Sequence, residues 1–352
     1  MSTLISQGGF GCIYYPGLKC SGAKSNDKEY VSKLQKKDFN AMNEIYIGNL
    51  IKEIPFYKNY FIPVVSSCPI DLRKIDSKLV ADCNVIARSN TTNYILMNLD
   101  YIENISLEKT ILTSESTQIK KKTFSQILSM YSYLLNGFEK LLEKNIIQFD
   151  FKQENLLFNL QTDIPMIIDF GISIPKDRLT ADNMKKYFYG YAPEYYIWPL
   201  EVHVINFLLH IKEEPLTEDD AILIGESYAK SNIIRNFFSE EFNAQFTAGC
   251  VRQVKKYVGI PKQKLIDKLI SYYKTWDNYS ISIMFIGILQ KIFKRGFHFN
   301  AMIILFTQLL VINLSPNPEN RLEIGKSRDA YENIFYSEPS HKRYNDLLSD
   351  LG

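Results

Sequence analysis

Between residues 146 and 158 the chain reads IIQFDFKQENLLF. Bulky apolar residues fill the stretch, and Asp150, Lys152 and Asn155 break into it at intervals of two and three. A helix repeats its faces about every 3.6 residues and a strand every two, so neither gathers these three side chains on one polar side. The spacing predicts an irregular loop held by buried flanks, presenting three polar groups that folding alone does not require. Any fold assigned to the chain must supply a scaffold for that loop.

With 352 residues the chain exceeds what one hydrophobic core usually supports, which predicts two lobes or a domain with a large insertion. Hydrophobic residues make up 46% and charged residues 23%, values of an ordinary globular protein. The net charge of +2 carries no electrostatic footprint for nucleic acid, and the run Lys120, Lys121, Lys122 reads as a solvated face. Cys12, Cys20, Cys68, Cys83 and Cys250 are odd in number and lack CxxC spacing, which predicts reduced intracellular thiols rather than a disulfide framework or a zinc site. No charged start followed by an apolar stretch opens the chain, so no secretory signal is expected. The most apolar stretch, AMIILFTQLLVINL from 301 to 314, is too short to span a bilayer, carries Gln308, and reads as a core helix.

The first hundred residues are β-rich. GCIYY, EYVSKLQ, FIPVVSS and YILMNL combine β-branched and aromatic residues and are parted by Gly, Ser, Asn and Asp clusters, with one helical stretch, FNAMNEIYIGNLIKEI, among them. Past about residue 105 the period turns helical: Phe124, Ile127, Leu128, Tyr131, Leu134, Leu135, Phe138, Leu141 and Leu142 form one apolar stripe, and Asn145 is a stop. Two short extended pieces, LLF and MIIDF, flank NLQTD, and beyond residue 200 almost everything reads helical.

Near the start, SQGGFGCIY sets Gly8, Gly9 and Gly11 in a turn between two strands, where glycine allows close backbone approach and positive φ so that amides can face phosphate oxygens. A plain hairpin turn accounts for the same glycines. Lys33 follows on the next strand and Glu44 on the helix, with Glu53 a second possible ion-pair partner. A Gly-rich hairpin, a strand lysine and a helix glutamate come in the order of the ATP-holding elements of protein kinases. Asp150, Lys152 and Asn155 have the spacing of the kinase catalytic loop, MIIDFGIS supplies Asp169-Phe170-Gly171 as a DFG triplet, and GYAPEYY supplies Ala192-Pro193-Glu194 as an APE triplet.

From about Ser6 to about Arg321 the sequence resembles the eukaryotic-type protein kinase superfamily. GGFGCIYYPGLKC, YVSKLQ, NEIYIG and SSCPID further resemble serine/threonine kinases encoded by large nucleocytoplasmic DNA viruses. The resemblance implies an α+β, bilobal protein kinase-like fold: a β-rich N-lobe over residues 1–101 and a helical C-lobe over 102–352, with a helical insertion, 195–276, after the APE motif. It implies ATP and Mg²⁺ as cofactors, with nucleotide contacts at Gly8, Gly9, Phe10, Gly11, Ile13, Lys33, Glu44, Met97, Leu99 and Leu157. Met97 is the implied gatekeeper and Asn98–Tyr101 the implied hinge. Asp150 and Lys152 are the implied catalytic pair and Asn155 and Asp169 the implied metal ligands. Asp277 is expected to brace the catalytic-loop backbone, and Arg321 to pair with Glu194.

Gln148-Phe149 replaces the family's His-Arg before the catalytic Asp, and since that Arg commonly pairs with a phosphorylated loop residue, its absence implies activity without activation-loop phosphorylation. KYFYGY lacks the usual Thr, so substrate placement is expected to differ in detail. The implied activity is transfer of the γ-phosphoryl group to Ser or Thr of a protein substrate. The expected partner is that substrate, and the insertion is read equally as a docking face for a substrate or partner protein and as extra scaffold; nucleic acid and a membrane span are not expected. The implied location is intracellular, in host cytoplasm or virion. A pseudokinase and a small-molecule kinase are the competing readings.

Overall fold

The structure is a computed structural model that describes residues 2–20, 28–75, 77–87, 93–105, 117–294 and 301–337. The chain divides into two compact units: Met1–Ile105 with Asn155–Ser173, and Ser106–Glu154 with Ile174–Gly352. The side chains of Lys120, Lys121 and Lys122 lie outside the described residues.

The first unit is built on an antiparallel five-stranded sheet of β1 (Thr3–Gln7), β2 (Gly11–Tyr15), β3 (Tyr30–Lys36), β4 (Val64–Ile70) and β5 (Tyr94–Asp100), in the order β1-β2-β3-β5-β4. Strand alternation sends Cys12, Tyr14, Leu34, Tyr94 and Leu96 into one apolar cluster. Helix α1 (Phe39–Lys52) starts at Asp38, whose carboxylate accepts from the Ala41 amide at 3.0 Å. It packs close to β4 at Gly48, where a Cβ would meet Val64 O at 3.1 Å. The hairpin β6 (Leu156–Asn159) and β7 (Ile164–Ile167) belongs to this unit and is tied to it by Ile62 N donating to Ile167 O and Ile167 N donating to Tyr60 O.

The cysteine expectation is corrected here. Cys12 pairs with Cys83 and Cys20 with Cys68, leaving Cys250 as the buried free thiol. The pairs join residues 71 and 48 apart in sequence, so spacing along the chain gave no sign of them.

In the second unit, α2 (Thr117–Glu143) carries the long apolar stripe and ends before Asn145, which adopts φ +54. Tyr131 on α2 meets Phe285 of α7 (Trp276–Phe293), Phe306 of α8 (Ala301–Asn313) and Tyr331 of α9 (Ile324–Phe335), at ring separations of 4.9, 4.9 and 5.0 Å. Between Glu194 and Asp277 lie α3 (Leu200–His210), α4 (Glu218–Ser231), α5 (Glu240–Lys255) and α6 (Lys262–Ile270). A capping box at Thr217 and Asp220 starts α4. Gly225 lets α4 lie against α5, since a Cβ there would sit 2.7 Å from Val251 Cα. The core-helix reading of 301–314 holds for one face only: Met302, Ile303, Phe306 and Leu310 are buried, while Ile304, Leu305 and Ile312 are exposed.

Candidate active site

In the first unit the glycine-rich turn closes with Gly8 N donating to Gly11 O at 3.0 Å. Gly11 is required by close approach, because a Cβ would lie 2.8 Å from Leu34 O; Gly8 and Gly9 face open space. The positive φ anticipated for this turn does not occur: among the described glycines Gly259 alone adopts it. Phe10 is partly exposed at the tip, and Ile13 stands opposite Lys33 in the β2–β3 register.

Lys33 is 7% exposed and its Nζ donates to Glu44 Oε2 at 2.8 Å and to Asp169 Oδ1 at 3.2 Å. Burial alone would lower the lysine pKa, but Glu44 and Asp169 outweigh it and raise it, so Lys33 is an ammonium at neutral pH. Burial pushes the Glu44 carboxyl up, against the pull of Lys33. Glu53, the other possible partner, is exposed.

Asp169 adopts φ +59, a left-handed conformation costly for a residue with a Cβ. Gly171 N donates back to Asp169 Oδ1 at 3.3 Å, and buried Phe170 meets Phe61 edge-on. Asn155, 6% exposed, accepts from Ile168 N at 3.0 Å through its carbonyl, which fixes its backbone beside the residue preceding Asp169. Leu99 and Leu157 share one apolar cluster with Ile62 and Met166, and Met97 pairs with Lys33 in the ladder. β5 runs through Asp100: Asn98 and Leu99 have ladder partners on both β3 and β4 and Asp100 pairs with Tyr30 of β3, so the implied hinge, Asn98–Tyr101, overlaps the end of the strand.

The segment 148–154 of the second unit, expected from the sequence to be a catalytic loop, follows Ile146–Ile147, which pairs with Ile174–Pro175. Asp277 is 2% exposed and its two oxygens accept from the Gln148 and Phe149 amides, each at 2.9 Å. Burial raises its pKa to about 6 while these amides oppose the shift. Gln148 Oε1 accepts from the Asp150 amide at 2.7 Å, closing the turn with its own side chain. Phe149, at φ +66, stacks on Trp198 at 5.0 Å and lies edge-on to Phe188, while Trp198 Nε1 donates to the Phe149 carbonyl. The position at which the kinases that the sequence resembles commonly carry an arginine is therefore an apolar anchor for the segment that carries Phe188.

Asp150 is 7% exposed, and Lys152 Nζ donates to its oxygens at 3.0 and 3.1 Å. The Tyr195 hydroxyl donates to Asp150 Oδ1 and accepts from Lys152 at 3.1 Å. Sequence reasoning missed Tyr195; the absent Thr was the signal that another hydroxyl had to be sought nearby.

The expected Glu194–Arg321 pair is corrected. Arg321 pairs with Glu201, both being buried, whereas Glu194 is exposed. The literal APE triplet precedes the residue that fills the structural role, Glu201 in Pro199-Leu200-Glu201, whose carboxylate also accepts from Trp276 Nε1 at 2.9 Å. A lone carboxylate inside IWPLEVHVINFLL was the available signal, since a charge in so apolar a run needs a buried partner.

Asn155 and Asp169 offer a carboxamide and a carboxylate oxygen, hard donors that suit Mg²⁺, which binds through few protein ligands with phosphate and water completing its shell. Among the described residues no cluster of three or more His, Cys, Asp or Glu forms a metal cage. Such a donor set fits a metal that arrives with a phosphate ligand. No helix of the described residues is long and apolar enough to cross a membrane.

No family model matches the chain. Serine/threonine-protein kinase 1 of African swine fever virus (isolate Tick/South Africa/Pretoriuskop Pr4/1996) is 24% identical over 254 residues, covering 67% of this chain and 79% of the relative. The same protein of strain Badajoz 1971 Vero-adapted is 23% identical over 255 residues, covering 68% and 80%. Among solved structures, the autoinhibited serine kinase domain of the giant muscle protein titin aligns with a TM-score of 0.48 at 15% identity, over 99% of this chain and 87% of that one. With the Gly-rich hairpin, Lys33, Glu44, the Asp150 loop and Asp169 in kinase order, the chain resembles the eukaryotic-type serine/threonine protein kinases in the form found in a large DNA virus.

Proposed function

We propose that the chain is an ATP- and Mg²⁺-dependent protein kinase that transfers the γ-phosphoryl group to Ser or Thr of a protein substrate and works without activation-loop phosphorylation. The observation that carries this reading is Lys33, buried and held between Glu44 and Asp169. A buried ammonium fixed by two carboxylates is preorganised to meet phosphate oxygens. In this reading Lys33 binds the α- and β-phosphates, with the amides of Gly8, Gly9 and Gly11 above them. Leu99 and Leu157 supply apolar surface for the base. Asp150 accepts a hydrogen bond from the substrate hydroxyl and orients it, and Lys152 compensates charge on the transferring group. Bound Mg²⁺ supplies charge neutralisation on the phosphoryl oxygens, and Asn155 and Asp169 are the residues that would hold it.

Independence from phosphorylation rests on Phe149, which anchors Phe188 and Trp198 by packing where an arginine would need a phosphate. Phosphatase-treated protein keeps its turnover in this reading; loss of turnover contradicts it. Residues 1–101 and 102–352 are read as N-lobe and C-lobe. The added helices of the 195–276 region, taken to begin beyond Glu201, are read as a docking platform for a protein partner. The likeness to viral kinases supports reading the protein as one that works in the infected cell or the virion, and the two disulfides favour the more oxidising of these settings.

The competing reading is a pseudokinase that binds nucleotide or partners without transfer. Binding is tested first by thermal shift. ATP with Mg²⁺ at about a hundredfold excess over Kd should stabilise the wild type by about 2.7 kcal/mol, and Lys33→Met should abolish the rise. An unchanged rise in Lys33→Met removes the assignment of Lys33.

A further inference from the structure

Asn43 precedes Glu44 on α1 and is 5% exposed. Its Nδ2 donates to Gly171 O at 3.1 Å and to Ser173 O at 2.7 Å, so both hydrogens of the carboxamide are committed to the turn after Asp169. That turn is crowded: a Cβ on Gly171 would lie 3.4 Å from Asp169 Oδ1 and 3.5 Å from Glu44 Oε2. Asp169 itself is held at φ +59, a left-handed conformation disfavoured for a residue with a Cβ. A backbone in such a state persists only where its surroundings hold it.

We propose that Asn43 is a positioning residue that keeps the Asp169 carboxylate turned toward its metal by clamping the Gly171 and Ser173 carbonyls to α1. One helix then fixes both partners of Lys33: Glu44 directly, and Asp169 through the turn. The inference rests on the kinase reading and deepens it. Removing the two donors takes one hydrogen bond from each of two buried carbonyls and lets the left-handed residue relax, which re-aims its carboxylate. The lysine pair with Glu44 is untouched, so affinity for nucleotide alone survives while the Mg²⁺-dependent part is weakened.

The test uses the full chain as wild type, Asn43→Ala and the near-isosteric Asn43→Leu, in case the cavity in the alanine variant prevents folding. Thermal shifts are measured with ADP alone and with ADP over a Mg²⁺ titration, and phosphoryl transfer is titrated with Mg²⁺ in parallel. Both variants should keep the wild-type shift with ADP alone and need on the order of tenfold more Mg²⁺ for half of the additional shift, the direction expected when the hydrogen bonds that aim the carboxylate are lost. Equal Mg²⁺ dependence in a folded variant overturns the proposal, and so does an equal loss of the ADP-alone response, which marks a general structural defect. A wild type that does not respond to nucleotide defeats the kinase reading itself, an outcome visible before any variant is compared.

Discussion

Replacing Glu201 with alanine should destabilise the helical unit severely, whereas replacing Glu194 should do almost nothing. Glu201 and Arg321 are 1% and 5% exposed and pair with each other, and Glu201 also accepts from Trp276. Glu201→Ala strands a guanidinium in the core, a loss of about 3–5 kcal/mol, and removes the indole's acceptor, worth about 1 kcal/mol more. Glu194→Ala changes an exposed side chain and should stay within about 0.5 kcal/mol. Both tryptophans of the chain, Trp198 and Trp276, lie in this unit, so urea unfolding followed by intrinsic fluorescence reports on it. The Glu201→Ala midpoint should fall by more than about 1 M urea. Arg321→Ala should cost a similar amount, and the double variant clearly less than the sum, because the second change removes a charge already stranded. Equal effects of Glu194→Ala and Glu201→Ala, or additive single losses, would refute the assignment of the pair.

His203 is fully buried and burial lowers its pKa from 6.5 to about 4, with backbone carbonyls at Trp198 and Tyr195 opposing. The unfolded chain takes up a proton below about pH 6.5 while the folded protein does not until about pH 4, so stability falls as pH drops through that window by about 3 kcal/mol. His203→Gln should flatten that part of the pH–stability curve; an unchanged slope assigns the loss to other groups. The loops closed by Cys12–Cys83 and Cys20–Cys68 are long enough for each disulfide to contribute about 4 kcal/mol on chain entropy. Reductant should therefore lower the melting temperature of wild type, and a Cys12→Ser/Cys68→Ser variant should be insensitive to it. An unaltered wild-type melt after verified reduction contradicts this.

Much of the first unit's candidate site was legible because its residues sit in regular elements with little freedom in spacing. Lys33 on β3 and Glu44 one turn into α1 meet as the order suggested, and the four quoted strands all form. The failures have a common physical origin. Arg321 chose its partner by burial, and the triplet that reads APE is exposed, so letters misled where hydropathy around Glu201 would not have. Disulfide partners and the Asn43 clamp on Gly171 and Ser173 join residues distant in sequence, and no local period encodes such meetings. Tyr195 reached Asp150 for the same reason: the missing threonine was visible, but its substitute depended on how the chain turned before Trp198.

Transfer of radiolabel from γ-labelled ATP to basic and acidic carrier proteins separates a kinase from a pseudokinase when wild type is compared with Asp150→Ala after both are shown to bind ATP with Mg²⁺. Protein-bound label on Ser or Thr is expected with the wild type, with its near-total loss in Asp150→Ala. A wild type that binds nucleotide yet transfers nothing, or an Asp150→Ala variant with wild-type turnover, would contradict it.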